Sequence, residues 1–403
     1  MHWPTRWART ARSAIISQEI PVASAPAIPR QLLVDISVIA SHDAGTGIQR
    51  TVRSLLLELQ RSPPPGYVVR PVQATRKTPY RYATNTESDQ HANEVVSVRP
   101  GDIFLGLDLS SHIAIYRTMD FILWRSQSVR FVFIIYDLLP ALRPEWFTQR
   151  AQKRFLRWLT LVALHGDILC GISRSVIDDT KAWLVERLGI EDAEQRLDWI
   201  HLGAEFPALC DTAAGIPPSL EGMSPATLAK SILMVGTVEP RKGHAQVLDA
   251  FEALWKAGHE NILVIVGRQG WNVEPLALRL RNHPEIGKRL IWLTQADDTQ
   301  LGYLYTNLGG LIMASQAEGF GLPLVEAAHY GMPVLARDIP VFHEVAGTSA
   351  TYFNASSGIE LSPQLAAWLQ TLSRERIRAS HSPNLLSWAA SADQLKNVLA
   401  RVA

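Results

Sequence analysis

Cysteine is nearly absent. Cys170 and Cys210 are the two among 403 residues, too few for a disulfide framework or a zinc site, and a reducing cytoplasm fits that count. Long apolar runs are missing too. No stretch approaches the ~18 residues of a membrane span, and the longest candidate, near 131–142, is interrupted by Asp137 and Pro140. Nor is there an excess of charge. Thirty-nine basic against 38 acidic residues leave a net +1, which argues against bulk electrostatic binding to nucleic acid. The first residues lack the apolar core of a signal peptide and carry no acid before Glu19. Read as a helix, Trp3, Trp7, Ala11, Ala14 and Ile15 share roughly 120° of arc, with Arg6, Arg9 and Arg12 opposite. That pattern suits an anionic membrane surface, and a floppy basic start accounts for it equally well.

What is present is enough apolar material, 47%, for two cores, and 403 residues are too many for one. Residues 1–30 form a basic extension that ends in a proline-dotted linker, 17–29. Residues 31–40 read as a strand, 42–47 as a turn-rich loop with Gly45, Thr46 and Gly47, and 48–60 as a helix. Strand, glycine loop and helix open a doubly wound fold. The glycines either let a phosphate or acceptor approach the helix N-terminus or simply make a tight turn. Further strands are expected at 68–72, 103–107 and 131–135, the last leading into Tyr136 and Asp137 where ligands of open α/β sheets bind. Asp137 could position or deprotonate an acceptor hydroxyl, or cap the next turn. Residues 145–165 read as an amphipathic helix with a basic stripe (Arg150, Lys153, Arg154, Arg157) beside an apolar one (Phe147, Ala151, Phe155, Leu159, Val162). The basic stripe is either a solvated face or a dock for phospholipid or a diphosphate-linked acceptor. Ser173 is expected to cap the following helix.

Composition shifts at 207–230, rich in proline, alanine, glycine and serine, marking a boundary between domains 31–206 and 231–386. The second domain opens with strand 231–236 and then Glu239, Pro240, Arg241, Lys242 and Gly243. Fixed cations on such a loop stabilise a diphosphate leaving group as it gains charge, although a basic pair is also common on solvated loops. Strands at 262–266 and 290–293 lead into Gly267-Arg268-Gln269-Gly270-Trp271 and Thr294-Gln295-Ala296-Asp297. The stretch 309–331 is central. A short buried-strand run precedes Glu318-Gly-Phe-Gly-Leu-Pro323, then a helix carrying Glu326 and stopped by Gly331. Glu326 is placed in the first turn, so both carboxylates face one helix N-terminus, an end that also binds anions. Acids for hydroxyls beside an anion site suit a sugar nucleotide.

These residues together resemble the retaining GT-B glycosyltransferases of family 4. Glu239 to Lys242, the Gly267 to Trp271 turn, and Glu318 to Pro323 with Glu326 carry the resemblance, and Thr46-Gly-Ile-Gln-Arg50 and Tyr136 to Pro140 extend it over 31–403. Within the family, bacterial surface-polysaccharide enzymes, many of them mannosyl- or rhamnosyltransferases, are the most similar. The resemblance implies an α/β fold of two Rossmann-like doubly wound domains facing a cleft, with a helix in 387–403 crossing back to the first domain, anchored by Trp388. It implies that Arg241 and Lys242 contact a diphosphate, that Glu318 and the amides of Gly319, Phe320 and Gly321 sit by the donor sugar, and that Glu326 binds ribose. Gly236, Glu239, Gly267, Arg268, Gln295 and Leu322 complete the donor side; Gly45, Thr46, Gly47, Arg50 and Tyr136 form the acceptor side, with Asp137 beside the chemistry. Many members carry His where Tyr136 stands, and tyrosine is a poor base at neutral pH.

The expected activity is transfer of a hexose, leaning by resemblance to mannose or rhamnose on guanosine diphosphate, with retention, to a growing and lipid-linked polysaccharide. No metal or other cofactor is expected. Neither is nucleic acid as a partner, and the expected location is cytoplasmic, with peripheral contact at the inner membrane face. Competing readings are a GT-B epimerase or phosphorylase, revealed by donor turnover without acceptor, and a non-catalytic binding partner of an assembly complex, against which the intact Arg241, Lys242, Glu318 and Glu326 argue.

Overall fold

The computed structural model describes residues 29–43, 45–83, 92–204, 215–374 and 386–403. Residues 1–28 of the basic extension proposed for 1–30, and Cys210, lie outside them. Thirteen strands form two sheets. The first contains β1 (Arg30–Asp35), β2 (Tyr67–Gln73), β3 (Arg81–Tyr82), β4 (Ile103–Gly106), β5 (Arg130–Ile135), β6 (Ile168–Gly171) and β7 (Leu197–Trp199), in the order β3-β2-β1-β4-β5-β6-β7. The second contains β8 (Ile232–Val235), β9 (Leu263–Val266), β10 (Leu290–Leu293), β11 (Gly310–Met313), β12 (Val334–Arg337) and β13 (Ala350–Phe353), ordered β10-β9-β8-β11-β12-β13. Every pairing is parallel except β2 with β3.

The apolar runs explain the strands. Parallel strands are covered by helices on both faces, so they need continuous rather than alternating apolar residues. Phe131, Val132, Phe133, Ile134 and Ile135 of β5 are all buried, as are Leu263, Val264, Ile265 and Val266 of β9. Burial of each such side chain contributes about 1.5–3 kcal/mol. In both sheets the strand order reverses direction between the first strand and its neighbour, at β1/β4 and β8/β11. Crevices open off the carboxyl ends of strands at such points. The loops 236–243 and 314–321 therefore emerge side by side in the second domain, and the latter meets the end of β5 and Ser173 of the first.

Several expected boundaries move. The first strand stops at Asp35 rather than 40, because the Asp35 carboxylate accepts from the Ser37 amide (2.9 Å) and the chain turns. The basic helix spans Gln149–His165, not 145–165: Pro144–Trp146 forms a separate 3-10 turn, and Thr148 caps the helix by accepting from the Ala151 amide (3.3 Å). Ala151, assigned to the apolar stripe, is exposed, and Phe147 instead stacks near Trp271, with ring centroids 5.7 Å apart. Glu326 lies in the second turn of the Leu322–His329 helix, not the first.

The terminal helix, Trp388–Ala400, lies on the first domain against the Gly47–Arg61 helix. Trp388 is buried, Ser391 donates to the His201 carbonyl (2.6 Å), and Gln394 accepts from the His201 amide (2.8 Å). No helix among the described residues is long and apolar enough to cross a membrane.

Candidate active site

Residues 236–243 connect β8 to the His244–Lys256 helix. Pro240 starts a 3-10 turn that ends at Gly243, and this turn lifts Arg241 and Lys242 over the end of β11. The Gln316 amide donates to the Arg241 carbonyl (2.7 Å), tying the loop to the one that carries Glu318. Arg241 donates to Glu318 Oε2 (2.5 Å) and lies 2.8 Å from Glu239 Oε1; Lys242 Nζ donates to Glu318 Oε1. Burial alone would raise the Glu318 pKa, but Arg241 and Lys242 hold it down at about 2, so it is a carboxylate at any working pH. Glu239 is moved up by burial, with both cations opposing. Burial likewise raises Asp137, against Arg241; its Oδ1 accepts from the Leu139 amide (3.1 Å), so it does cap the turn while facing the same cluster.

Glycine is needed where backbones meet. A Cβ on Gly267 would lie 2.1 Å from the Gly236 carbonyl, so the β8 and β9 loops can touch only without one. Lys242 runs alongside Gly236, its Cε 3.4 Å from where a Cβ would stand. Arg268 and Gln295 are exposed at the outer rim of this face.

The two domains close on the site. A Cβ on Gly319 would lie 1.9 Å from the Tyr136 carbonyl, and Ser173 Oγ donates to the Gly319 carbonyl (2.7 Å). Phe320 is buried against His201, with centroids 5.7 Å apart. Gly321, at φ +99°, caps the Leu322–His329 helix, and Leu322 meets the position a Gly47 Cβ would take (3.4 Å). Thr46 caps the Gly47 helix, accepting from the Gln49 amide (3.3 Å), while Gly45 turns at φ +64°. Arg50, expected on the acceptor side, crosses to the second domain: Nη1 donates to Glu326 Oε1 (2.6 Å) and Nη2 to Asp298 Oδ1 (2.8 Å). Tyr136 is also corrected. Its hydroxyl is buried and donates to the Leu107 carbonyl (2.8 Å), so its backbone, not its phenol, meets the loop that carries Glu318 and Gly319.

Sequence reasoning missed several supporting groups. Tyr305 donates to Glu326 Oε2 (2.6 Å). Glu344 accepts from the Arg174 (2.6 Å) and Ser175 (3.0 Å) amides and sits 2.8 Å from His201 Nε2, another bridge between domains. Beneath the first-domain loop, Asp108 accepts from the Val38 and Ile39 amides (2.8 Å each); burial and the charge of Asp35 raise its pKa to about 6. None of these belongs to a recognisable spacing, although Asp108 does follow a strand. Among the described residues no group of three or more His, Cys, Asp or Glu could hold a metal ion.

The family model for glycosyl transferases group 1 matches residues 226–371, the stretch that contains Glu239, Arg241, Lys242, Glu318 and Glu326. Residues 226–371 therefore form a group 1 glycosyltransferase domain, and the two sheets have the GT-B fold. It is 42% identical over 378 residues to a serotype-specific mannosyltransferase WbdA of Escherichia coli, covering 92% of this chain and 45% of that protein. The chain thus spans about half the length of the curated relatives it matches. A phosphatidyl-myo-inositol mannosyltransferase of Mycobacterium leprae is 29% identical over 243 residues, 57% of this chain and 59% of that one. Among solved structures, Anabaena Alr3699/HepE in complex with UDP and glucose superposes with a TM-score of 0.61 at 15% identity, covering 93% of this chain and all of that one. WaaG, a glycosyltransferase involved in lipopolysaccharide biosynthesis, gives 0.56 at 16% identity, with 91% and 99% covered. Both show the shared fold.

Proposed function

We propose that this group 1 glycosyltransferase moves mannose, or a deoxymannose such as rhamnose, from a nucleoside diphosphate to a growing surface polysaccharide. The observation that carries this reading is the convergence of Arg241 and Lys242 on Glu318 at the β8/β11 crevice. The mannosyltransferase relatives support the choice of sugar. In the proposed mechanism Arg241 and Lys242 release Glu318 and take the diphosphate of the donor, so they are already aimed where leaving-group charge develops. Glu318 and the amides of Gly319 to Gly321 then face the sugar, and Glu326 holds the ribose hydroxyls. The acceptor hydroxyl attacks from the side the leaving group departs, and a departing phosphate oxygen takes its proton, which retains the anomeric configuration. The charge is carried by side chains, with no metal required. Closure of the domains around Gly319 excludes water that would hydrolyse the donor.

The acceptor is proposed to be lipid-linked, with the chain resting on the cytoplasmic face of a membrane. Tyr116, Met119, Ile122 and Leu123 stand about half exposed on one edge of the first domain (50%, 62%, 46% and 53%), with Arg76 over the Tyr116 ring. Apolar side chains among arginines suit anionic lipid. Flotation with anionic phospholipid vesicles is expected to carry the parent but not Met119→Glu/Leu123→Glu; equal flotation of both discards this surface.

Lys242→Ala tests the central reading. Transfer is expected to fall ~10²–10³-fold, as when one preorganised charge contact is removed, with the melting transition close to that of the parent. Unchanged transfer would discard the leaving-group site. Release of sugar at the parent rate without acceptor would point to a different GT-B reaction.

A further inference from the structure

Glu326 is buried, and each of its oxygens already has a donor: Tyr305 on Oε2 and Arg50 on Oε1. The two donors differ in kind. Tyr305 belongs to the same domain and is itself buried. Arg50 comes from the other domain, 276 residues away in sequence, and its side chain is 29% exposed. It also has a second acidic partner, Asp298, whose side chain is 64% exposed. One guanidinium therefore spans a buried carboxylate and a solvated one, through separate nitrogens.

The placement follows from the helices. The Gly47–Arg61 and Leu322–His329 helices approach each other at their N-termini, where Leu322 meets Gly47. About one turn further along each helix lie Arg50 and Glu326, whose side chains meet across the crevice. The planar fork of arginine makes this contact directional as well as charged.

We propose that Arg50 is a positioning residue that occupies the ribose-binding carboxylate while no donor is bound, and that the ribose diol displaces it onto Asp298. The proposal rests on the reading of Glu326 as the ribose ligand. A diol donates two neutral hydrogen bonds, whereas Arg50 offers a charge-assisted one, so the nucleotide must compete for Oε1. Asp298 lowers the cost of that exchange, since Nη2 keeps its partner while Nη1 lets go. Arg50 thereby links the state of the donor pocket to the position of the first domain. Competition makes the apparent affinity for nucleotide weaker than the pocket alone would give, by the fraction of molecules in which Glu326 is open.

The test compares GDP with 2′,3′-dideoxy-GDP by calorimetry on the full chain, for the parent, Arg50→Ala, Arg50→Lys and Glu326→Ala. The ratio of the two dissociation constants measures what the diol contributes. In Arg50→Ala that ratio is expected to rise roughly fivefold or more, because the competitor is gone. Arg50→Lys, with a single point contact, is expected to fall between. An unchanged or smaller ratio in Arg50→Ala would overturn the displacement, and weaker binding of both nucleotides by the same factor would make Arg50 an ordinary phosphate contact. Glu326→Ala separates the two ideas. It should bring the ratio close to one, and if the parent ratio persists there, the ribose assignment itself fails. Absence of GDP binding to the parent overturns both.

Discussion

Gly319→Ala asks whether the closed arrangement is the working one. The added Cβ would sit 1.9 Å from the Tyr136 carbonyl oxygen and 3.0 Å from its carbon, with Asp137 Cβ at 3.4 Å. Carbon–oxygen contacts lie near ~3.3 Å, so the donor loop and the end of β5 must separate by roughly 1.4 Å. Neither side yields easily. Tyr136 is backbone at the end of a buried strand, and the Gly319 carbonyl is held by Ser173. The strain is relieved most simply by opening the domains, which moves Glu318 away from the acceptor side. Overpacking of this kind costs about 1–3 kcal/mol, and a displacement near 1 Å at reacting groups costs ~10²-fold in rate. The expected outcome is kcat lower by ~10²-fold, with GDP affinity within about threefold of the parent because Arg241 and Lys242 stay in their own domain. Initial-rate transfer assays and calorimetry on the same preparation measure both. Parent kcat in this variant would refute the claim that catalysis needs Gly319 against Tyr136.

Two more outcomes follow from buried groups near the site. His244 is fully buried, neither ring nitrogen has a hydrogen-bond partner, and burial holds its pKa down at about 3. Its folded pKa is lower than the unfolded one, so the unfolded state takes up the proton first and stability is lost as pH falls from about 6.5 towards 3, by about 2 kcal/mol at pH 5. His244→Met should remove that loss, visible as a variant-minus-parent difference in urea midpoints that rises from pH 7 to pH 5; a constant difference would refute it. Tyr305→Phe removes one donor to buried Glu326 and should cost about 1.5–3 kcal/mol in urea denaturation at pH 7. Burial already raises the pKa of Glu326 and the Tyr305 hydrogen bond opposes it, so losing that donor disfavours the folded carboxylate further. The penalty should be larger at pH 8, where Glu326 is more fully ionised, than at pH 5.

Much of the fold is legible because parallel strands need continuous apolar runs and the turns after them need glycine. Residues 131–135, 262–266 and 290–293 announce strands on that ground alone. The Arg241-Lys242 pair and the 318–326 stretch are legible because each sits directly after such a run, at the end where ligands bind. Helix starts are less so: nothing in the pattern separates 145 from 149, since Pro144 begins a turn of its own before Thr148 caps the helix. What spacing cannot carry is contact between domains. Arg50 with Glu326, Ser173 with Gly319, and His201 with Glu344 join residues 143 to 276 positions apart, and each partner looks ordinary in its own segment. Ser173 was readable as a helix cap, which it is; that its hydroxyl also holds the donor loop depends on how the two sheets face each other.

Stability does not account for the charges gathered here. Glu239, Glu318 and Asp137 face Arg241 and Lys242, with the side chains of Glu239, Glu318, Arg241 and Lys242 all under one-fifth exposed. Desolvating such ions costs several kcal/mol each, and apolar residues of similar volume commonly serve a fold as well or better. Burial works against every acid in the group, and only Glu318, which accepts a hydrogen bond from both cations, ends well below its ordinary range. A fold that carries this cost at the carboxyl ends of β8 and β11 gains fixed charge in a low-dielectric crevice, where each contact acts more strongly than it would in water. On the proposed reading, Glu318 keeps the cations in place until a diphosphate replaces it, so they need not be reorganised when the sugar bond breaks.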